Sequence, residues 1–279
     1  MLVDLNGHSG RHRLGVLARR PAPLVGTACG FATIGLPGAF LVADDAHVPP
    51  GAEAQFSEHL VRLPAAVTFA PAPYAPPICP PPSLASGMVT FGVFNRLAKI
   101  TPAALDAWGR IMAAVPGSML LMAGLGYLEP ETCQRIATAM AAHGVHPSRI
   151  RFEREKRHPD LLAAYGRIDI ALDTWPYSGG LTTLEALWAG IPVVAMAGDG
   201  MHARHAAAHL SAAGLSDLVA TDTEGYVATA IALARAPERL SALRGSLRAR
   251  LAGSPVCDAR GQARALEEAI ITMLKESPA

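Results

Sequence analysis

From residue 89 onward, short apolar runs alternate with longer amphipathic stretches, and this alternation restricts the fold more than any other property of the chain. The runs are VTFGV (89–93), SMLLMA (118–123), RIRF (149–152), IDIALD (168–173), PVVAM (192–196) and LVA (218–220). Their length and apolar character suit buried strands, and each gap between them is long enough for a crossover helix. Strands joined by helices return to one sheet in parallel through right-handed connections, so the expected class is α/β with a doubly wound parallel sheet. Ligands in such sheets bind beyond the carboxyl ends of the strands. Residues 94–99 and 174–185, each just past a strand, are therefore predicted on one sheet edge. Helix signals agree: Pro102 follows Thr101 at a helix start, with Leu105, Trp108, Ile111, Met112 and Val115 at helical spacing. Residues 222–275 read as three further helices, the last from about Ala259 to Lys275.

Before residue 89 the chain is organised differently. Residues 71–82, PAPYAPPICPPP, hold seven prolines in twelve positions, which favours extended polyproline backbone and excludes helix or central strand. Upstream of this boundary, apolar runs at Leu2–Leu5, Leu24–Thr27 and Phe40–Ala43 are separated by Gly/Pro turns, and Arg11–Arg20 is predicted as one helix. With 279 residues and 51% hydrophobic content, the chain can bury one large core or two smaller ones. A formal charge of +1 leaves no electrostatic footprint for nucleic acid or an anionic membrane, and neither is expected as a partner. No run approaches the ~20 apolar residues of a membrane span, and MLVDLNGHSGRHR lacks the apolar centre of a signal peptide. The cysteines Cys29, Cys79, Cys133 and Cys257 form no CxxC pair, so a reducing, cytoplasmic setting is expected. The chain opens almost directly in a strand-like LVDL, which predicts that a segment precedes it.

The richest chemistry lies in residues 174–190, TWPYSGGLTTLEALWAG. A Gly-Gly turn after a buried strand opens a helix, and Thr182, Thr183 and Glu185 are expected on its first turn. Unpaired backbone N–H groups and the positive end of the helix dipole make such a place fit for phosphate, with Gly180 letting a ligand approach the backbone. Residues 91–100, FGVFNRLAKI, end the first strand of this region in Lys99. Spacing alone makes Lys99 a solvated surface lysine; set beside the Gly-rich turn, it becomes the cation that a diphosphate leaving group needs. Glu185 suits a ribose diol, or equally a plain partner for the helix dipole. No DxD pair or His/Cys cluster with metal spacing is present, so a metal-independent site is expected, with no cofactor.

Among ten histidines, His158 stands out, because it follows RIRF at a strand's carboxyl end where a base or phosphate would sit. His202, His205 and His209 fall at i, i+3 and i+7; the Ala-rich surroundings and the lack of a carboxylate partner read as a partly exposed helix face. His8, after the first strand, is a candidate for lining a cleft. Neither GxSxG, a Walker A sequence nor GxGxxG occurs, so hydrolase, NTPase and dehydrogenase readings have no motif behind them.

Taken together, VDLNGH (3–8), RRPAP (19–23), FSEHLVRLP (56–64), FNRLAKI (94–100), VPGSMLL (115–121), residues 161–194, SAAGLSDLVA (211–220) and SPVCDARGQARALE (254–267) resemble the O-linked N-acetylglucosamine transferase and SPINDLY-type glycosyltransferases. The resemblance covers nearly the entire chain. It implies a GT-B fold: residues 1–70 as part of an acceptor-side lobe, 71–88 as a Pro-rich linker, 89–255 as the Rossmann-like lobe that holds a nucleotide sugar, and 256–279 as a C-terminal helix. It further implies that Lys99 contacts the diphosphate and stabilises the leaving group, that Arg96 contacts the nucleotide, that Thr182 and Thr183 are phosphate-binding hydroxyls, and that Glu185 lies near the ribose. The implied reaction is inverting transfer of N-acetylglucosamine from UDP to Ser/Thr hydroxyls of proteins. Transfer of another sugar such as fucose from GDP, a small-molecule or glycan acceptor, and a non-catalytic nucleotide-sugar-binding role are the alternatives.

The chain also departs from that family. Relatives carry upstream helical repeats and a histidine proposed to work near the acceptor, so no catalytic base is assigned here. The loop that relatives write approximately as LGYPGTTG reads CGFATIG at 29–35, and where many relatives place a base-contacting histidine before LAAYG this chain has Leu161. His158, three residues earlier, is expected to substitute.

Overall fold

The computed structural model describes residues 1–28 and 32–276. Strands β1 (Leu2–Asp4), β2 (Val25–Thr27), β3 (Phe40–Ala43) and β4 (His59–Arg62) form one parallel sheet in the order β1-β2-β3-β4. β3 is apolar at every position and buried throughout, as a central parallel strand must be. β4 was not foreseen as a strand: it is an edge strand whose ends, His59 and Arg62, are exposed charged or polar residues that conceal the buried Val61. The helix predicted over Arg11–Arg20 shrinks to α1 (Leu14–Leu17), because Arg11 and Arg20 both adopt positive φ, at 64° and 47°, and a helix cannot pass through either. Of the 29–35 loop, residues 29–31 lie outside the described residues. The rest is held by Glu58, whose carboxylate accepts from the Ile34 and Gly35 N–H groups at 2.7 and 2.8 Å.

The Pro-rich segment leads through α2 (Ser83–Ser86) into a second sheet. Here Asp169, buried, accepts from the Ser83 hydroxyl at 2.7 Å and the Thr90 N–H at 2.8 Å, fixing where the sheet begins. The strands are β5 (Thr90–Val93), β6 (Met119–Ala123), β7 (Ile150–Glu153), β8 (Ile170–Leu172), β9 (Val193–Met196) and β10 (Val219–Ala220), all parallel, in the order β10-β9-β8-β5-β6-β7. Winding proceeds outward from β5 through β7, then restarts at β8 on the other side. A crevice therefore opens between the carboxyl ends of β5 and β8, where strand order reverses.

Crossover helices α3 (Pro102–Ala114), α4 (Pro130–Ala141), α5 (His158–Ala164), α6 (Leu181–Trp188), α7 (His205–Ala212) and α8 (Thr223–Ala234) cover both faces, followed by α9 (Pro237–Ala252) and α10 (Ala259–Glu276). α3 begins as its sequence predicts, with Pro102 at the first position and the Thr101 hydroxyl accepting from the Ala104 N–H at 3.1 Å. Its stripe of Leu105, Trp108, Ile111 and Met112 is fully buried in the core. α10 reaches back to the first sheet, where Leu266, Ala269 and Met273 pack on Phe40, Val42 and Val61. Among the described residues no helix is long and apolar enough to cross a membrane.

The two sheets also meet through α7, and this corrects the reading of its histidines. His205 and His209 are not on an exposed face: they are 2% and 1% exposed, packed against His47 of the turn that follows β3, with ring centroids 5.2 and 5.7 Å apart. The carboxylate missing from sequence-local reasoning is Asp44, whose oxygens accept from His47 Nδ1 at 2.9–3.0 Å. His202 remains partly exposed. Among the described residues, no group of three His, Cys, Asp or Glu side chains is placed to hold a metal ion.

Candidate donor site

Strand β8 ends in Leu172, Asp173 follows it, and the chain then turns sharply through Pro176, Ser178 and Gly179 before α6. Gly179 is required by contact: a Cβ there would lie 2.7 Å from Asp173 Oδ1 and 2.8 Å from the hydroxyls of both Thr182 and Thr183. Those three oxygens enclose the turn. Asp173 Oδ1 accepts from the Gly179 N–H at 2.8 Å, and the Thr183 hydroxyl donates to the Gly179 carbonyl at 3.0 Å. Thr183 is thereby buried and committed to holding the turn, whereas Thr182 keeps partial exposure. Gly180 is the cap residue of α6, faces open space, and no side chain caps that helix. An uncapped helix N-terminus at a crevice presents N–H groups and positive potential to an incoming anion.

From the other side of the crevice comes the segment after β5. Lys99 Nζ donates to the Ser178 carbonyl at 2.6 Å and sits 4.0 Å from the centroid of the Tyr177 ring. Burial, reinforced by the nearby Arg96 charge and opposed by Asp173, lowers the Lys99 pKa to about 8. Lys99 is thus the opposite of a solvated surface lysine: it is partly desolvated and aimed at the turn. Arg96, three residues earlier, is exposed on the rim.

Sequence reasoning missed Asn95, although its place directly after an apolar strand was visible. Its amide nitrogen donates to Asp173 Oδ1 at 3.0 Å and to the Thr174 hydroxyl at 2.9 Å, joining the ends of β5 and β8. Behind this joint, the Tyr226 hydroxyl donates to the Asp173 carbonyl at 2.9 Å and accepts from Trp108 Nε1 at 3.1 Å. Desolvation raises the Tyr226 hydroxyl pKa far above its ordinary range, so it stays a donor.

Glu185 falls on the second turn of α6, not the first, since the helix starts at Leu181. It is therefore no dipole partner. Its Oε1 lies 2.7 Å from His158 Nε2, while His158 Nδ1 is 2.9 Å from the Tyr74 hydroxyl of the Pro-rich segment. Burial pushes the Glu185 pKa up and His158 opposes the shift. The pair forms one wall of a cavity of about 200 Å³, otherwise largely apolar, between the Pro-rich segment and α6. His8 lies elsewhere, exposed, with Nε2 3.0 Å from the Thr33 carbonyl.

A crevice at the strand-order reversal, a partly desolvated lysine and an uncapped helix N-terminus thus meet at one edge of the second sheet. Residues 82–266 match the family model of Glycosyl transferase family 41. The chain belongs to that family. Over 99% of its length it is 41% identical to the probable UDP-N-acetylglucosamine–peptide N-acetylglucosaminyltransferase SPINDLY of Arabidopsis thaliana, and over 98% it is 40% identical to the protein of the same name from Oryza sativa subsp. japonica. The chain spans about a third of the length of these relatives, 31% and 30%. Among solved structures, a mutant of the Thermobaculum terrenum O-GlcNAc transferase superposes with a TM-score of 0.89 at 38% identity, covering 99% of this chain and 53% of that one. The two parallel sheets with their helices thus form a GT-B fold of family 41.

Proposed function

We propose that the chain carries the donor-binding lobe of an inverting transferase that moves N-acetylglucosamine from UDP to serine or threonine hydroxyls of proteins. One observation carries this reading: Lys99, half-buried, holds its ammonium group against the Gly-Gly turn at the mouth of α6 by a 2.6 Å bond to a mere carbonyl. A diphosphate oxygen is the stronger acceptor for that ammonium group. The SPINDLY relatives, probable UDP-N-acetylglucosamine–peptide N-acetylglucosaminyltransferases by name, support the choice of donor and acceptor class.

In this reading the diphosphate rests on the N-terminus of α6 with Thr182 and Gly180 beside it, Lys99 turning from Ser178 to a phosphate oxygen. Arg96 adds positive potential from the rim. The ribose diol donates to Glu185, which His158 orients, and the base enters the apolar cavity along the Pro-rich segment. As the sugar departs, negative charge grows on the leaving diphosphate, and Lys99 with the helix N-terminus meets it without a metal.

Calorimetric titration with UDP-N-acetylglucosamine tests the reading. Affinity is expected to fall as pH rises through about 8, where Lys99 loses its charge. Lys99→Met is expected to lower affinity by about tenfold or more at pH 7, the usual worth of a charged hydrogen bond, and to abolish that pH dependence. Absence of binding by the unaltered protein at millimolar donor sinks the donor site. A preference for GDP-fucose over the UDP sugar transfers the reading to fucose.

A further inference from the structure

The donor cradle is built on a carboxylate. Asp173 lies directly beneath the Gly179 turn, 2% exposed, and its Oδ1 accepts both the Gly179 N–H and the Asn95 amide. Its second oxygen, Oδ2, is buried and has no hydrogen-bond partner among the described residues. A buried, half-satisfied carboxylate is costly in itself, and a negative group under an anion-binding turn opposes the ligand the turn receives.

We propose that Asp173 is the positioning residue of the donor site and that its carboxylate takes up a proton from solvent when a diphosphate donor arrives. The inference rests on the donor-site reading above. Oδ1 keeps the turn in place through its two accepted bonds, and the proton goes to Oδ2, so neither anchor breaks. The neutral acid then no longer repels the diphosphate.

The surroundings leave Asp173 as the group that changes charge. From the segment after β5, Lys99 faces it as a cation that stays protonated well below pH 8, with Arg96 beyond. From α8, Tyr226 gives its hydroxyl to the Asp173 carbonyl rather than to the carboxylate. From α6, Thr183 donates to Gly179, Thr182 is uncharged, and Glu185 is held by His158. Tyr165, preceding β8, donates to the Thr182 carbonyl. Burial raises the Asp173 pKa to about 6 even with Asn95, the Gly179 and Thr174 N–H groups and Lys99 pulling it down, so an added neighbouring anion lifts it into the neutral range.

The test is titration of the whole chain with UDP-N-acetylglucosamine at pH 6.5 in buffers of different ionisation enthalpy. That donor is a diphosphate diester with no ionisation of its own near neutrality, and pH 6.5 lies below the Lys99 transition. The expected result is net uptake of a substantial fraction of a proton, with affinity rising toward acid by at most about tenfold per pH unit, the limit for one proton. Asp173→Asn is expected to bind the donor without proton uptake and with a flat profile between pH 6 and 7.5. His158→Asn is expected to keep the uptake. Binding by the unaltered protein with no proton uptake overturns the inference while leaving the donor site standing, as does uptake that survives in Asp173→Asn. If Asp173→Asn does not fold, the carboxyl-carbon NMR shift of Asp173 in the unaltered protein, free and donor-bound at pH 6.5, still decides: a shift to the protonated value on binding is expected, and an unchanged carboxylate shift overturns the inference. Failure of the unaltered protein to bind at all removes the donor-site reading and this inference with it.

Discussion

Two glycines separate the roles that glycine plays here. At Gly179 a methyl group would meet three oxygens at 2.7–2.8 Å, each already fixed by a strand end or a helix start. Gly245, on the exposed side of α9, would meet nothing within 4 Å. Gly179→Ala is therefore expected to displace the turn and weaken donor binding by about tenfold or more, read by calorimetry. Gly245→Ala is expected to stabilise the fold by about 1 kcal/mol through helix propensity, read by denaturant unfolding, with donor affinity unchanged. Equal effects of the two changes on binding would refute the assignment of Gly179. At this scale the sequence was informative about residues that line the crevice and its neighbouring cavity and nearly silent about those that hold them in place. Lys99, Gly180 and Glu185 follow from a motif within a few residues. Asn95 and Asp173 act on each other across 78 positions, through pairing of β5 with β8 that no local pattern encodes.

At the scale of elements, Thr101 joins a helix start to the site. Its hydroxyl caps α3 by accepting from Ala104 and donates at 3.2 Å to the Trp175 carbonyl at the beginning of the Gly-Gly loop. Thr101→Ala is expected to cost about 1 kcal/mol, typical of a lost cap, measured as a lower denaturation midpoint at constant slope, and Thr101→Ser to restore most of it. If Ala and Ser behave alike, the cap is not what the residue supplies. The elements easiest to foresee are those, like α3, whose cap, proline and apolar spacing agree with burial against the sheet. β6, β8 and β9 were legible for the same reason, being buried and apolar along nearly their whole length, whereas the edge strand β7 showed itself by alternating Ile150 and Phe152 with Arg151 and Glu153. β4 and α1 were not. An edge strand with polar ends has no such signature, and α1 is stopped by two positive-φ arginines whose conformation belongs to the turns around them.

At the scale of the molecule, the contact between the two sheets buries the His209 imidazole among other imidazoles, and this gives the fold an acid limit. His209 is buried against His47 and His205. His209 Nδ1 and His47 Nε2 find no hydrogen-bond partner among the described residues. Burial first, then the nearness of the other two rings, holds the His209 pKa well below its ordinary 6.5, with Asp44 opposing the shift. Asp44 itself is pushed up by burial but pulled down to about 2 by the His47 and Ala66 bonds, so it remains charged through the acid range and is paired with His47 alone. Arg204 of the same junction is already bound to the Ala46 carbonyl at 2.9 Å and adds positive charge. The sign follows: the unfolded chain binds a proton at His209 below pH 6.5 and the folded chain does not, so stability is level above that pH and falls below it. The contribution of this one group is ~1.4 kcal/mol per pH unit until its folded pKa is reached. Thermal unfolding between pH 8 and 5 is expected to show that decline, with opening between the sheets preceding global unfolding in hydrogen exchange of β3 and α7. His209→Leu, similar in volume and without a proton site, is expected to flatten the acid limb relative to the unaltered protein. A variant that loses stability toward acid with the same slope would show that the decline arises elsewhere, among the carboxylates, and that the imidazole contact only fills space.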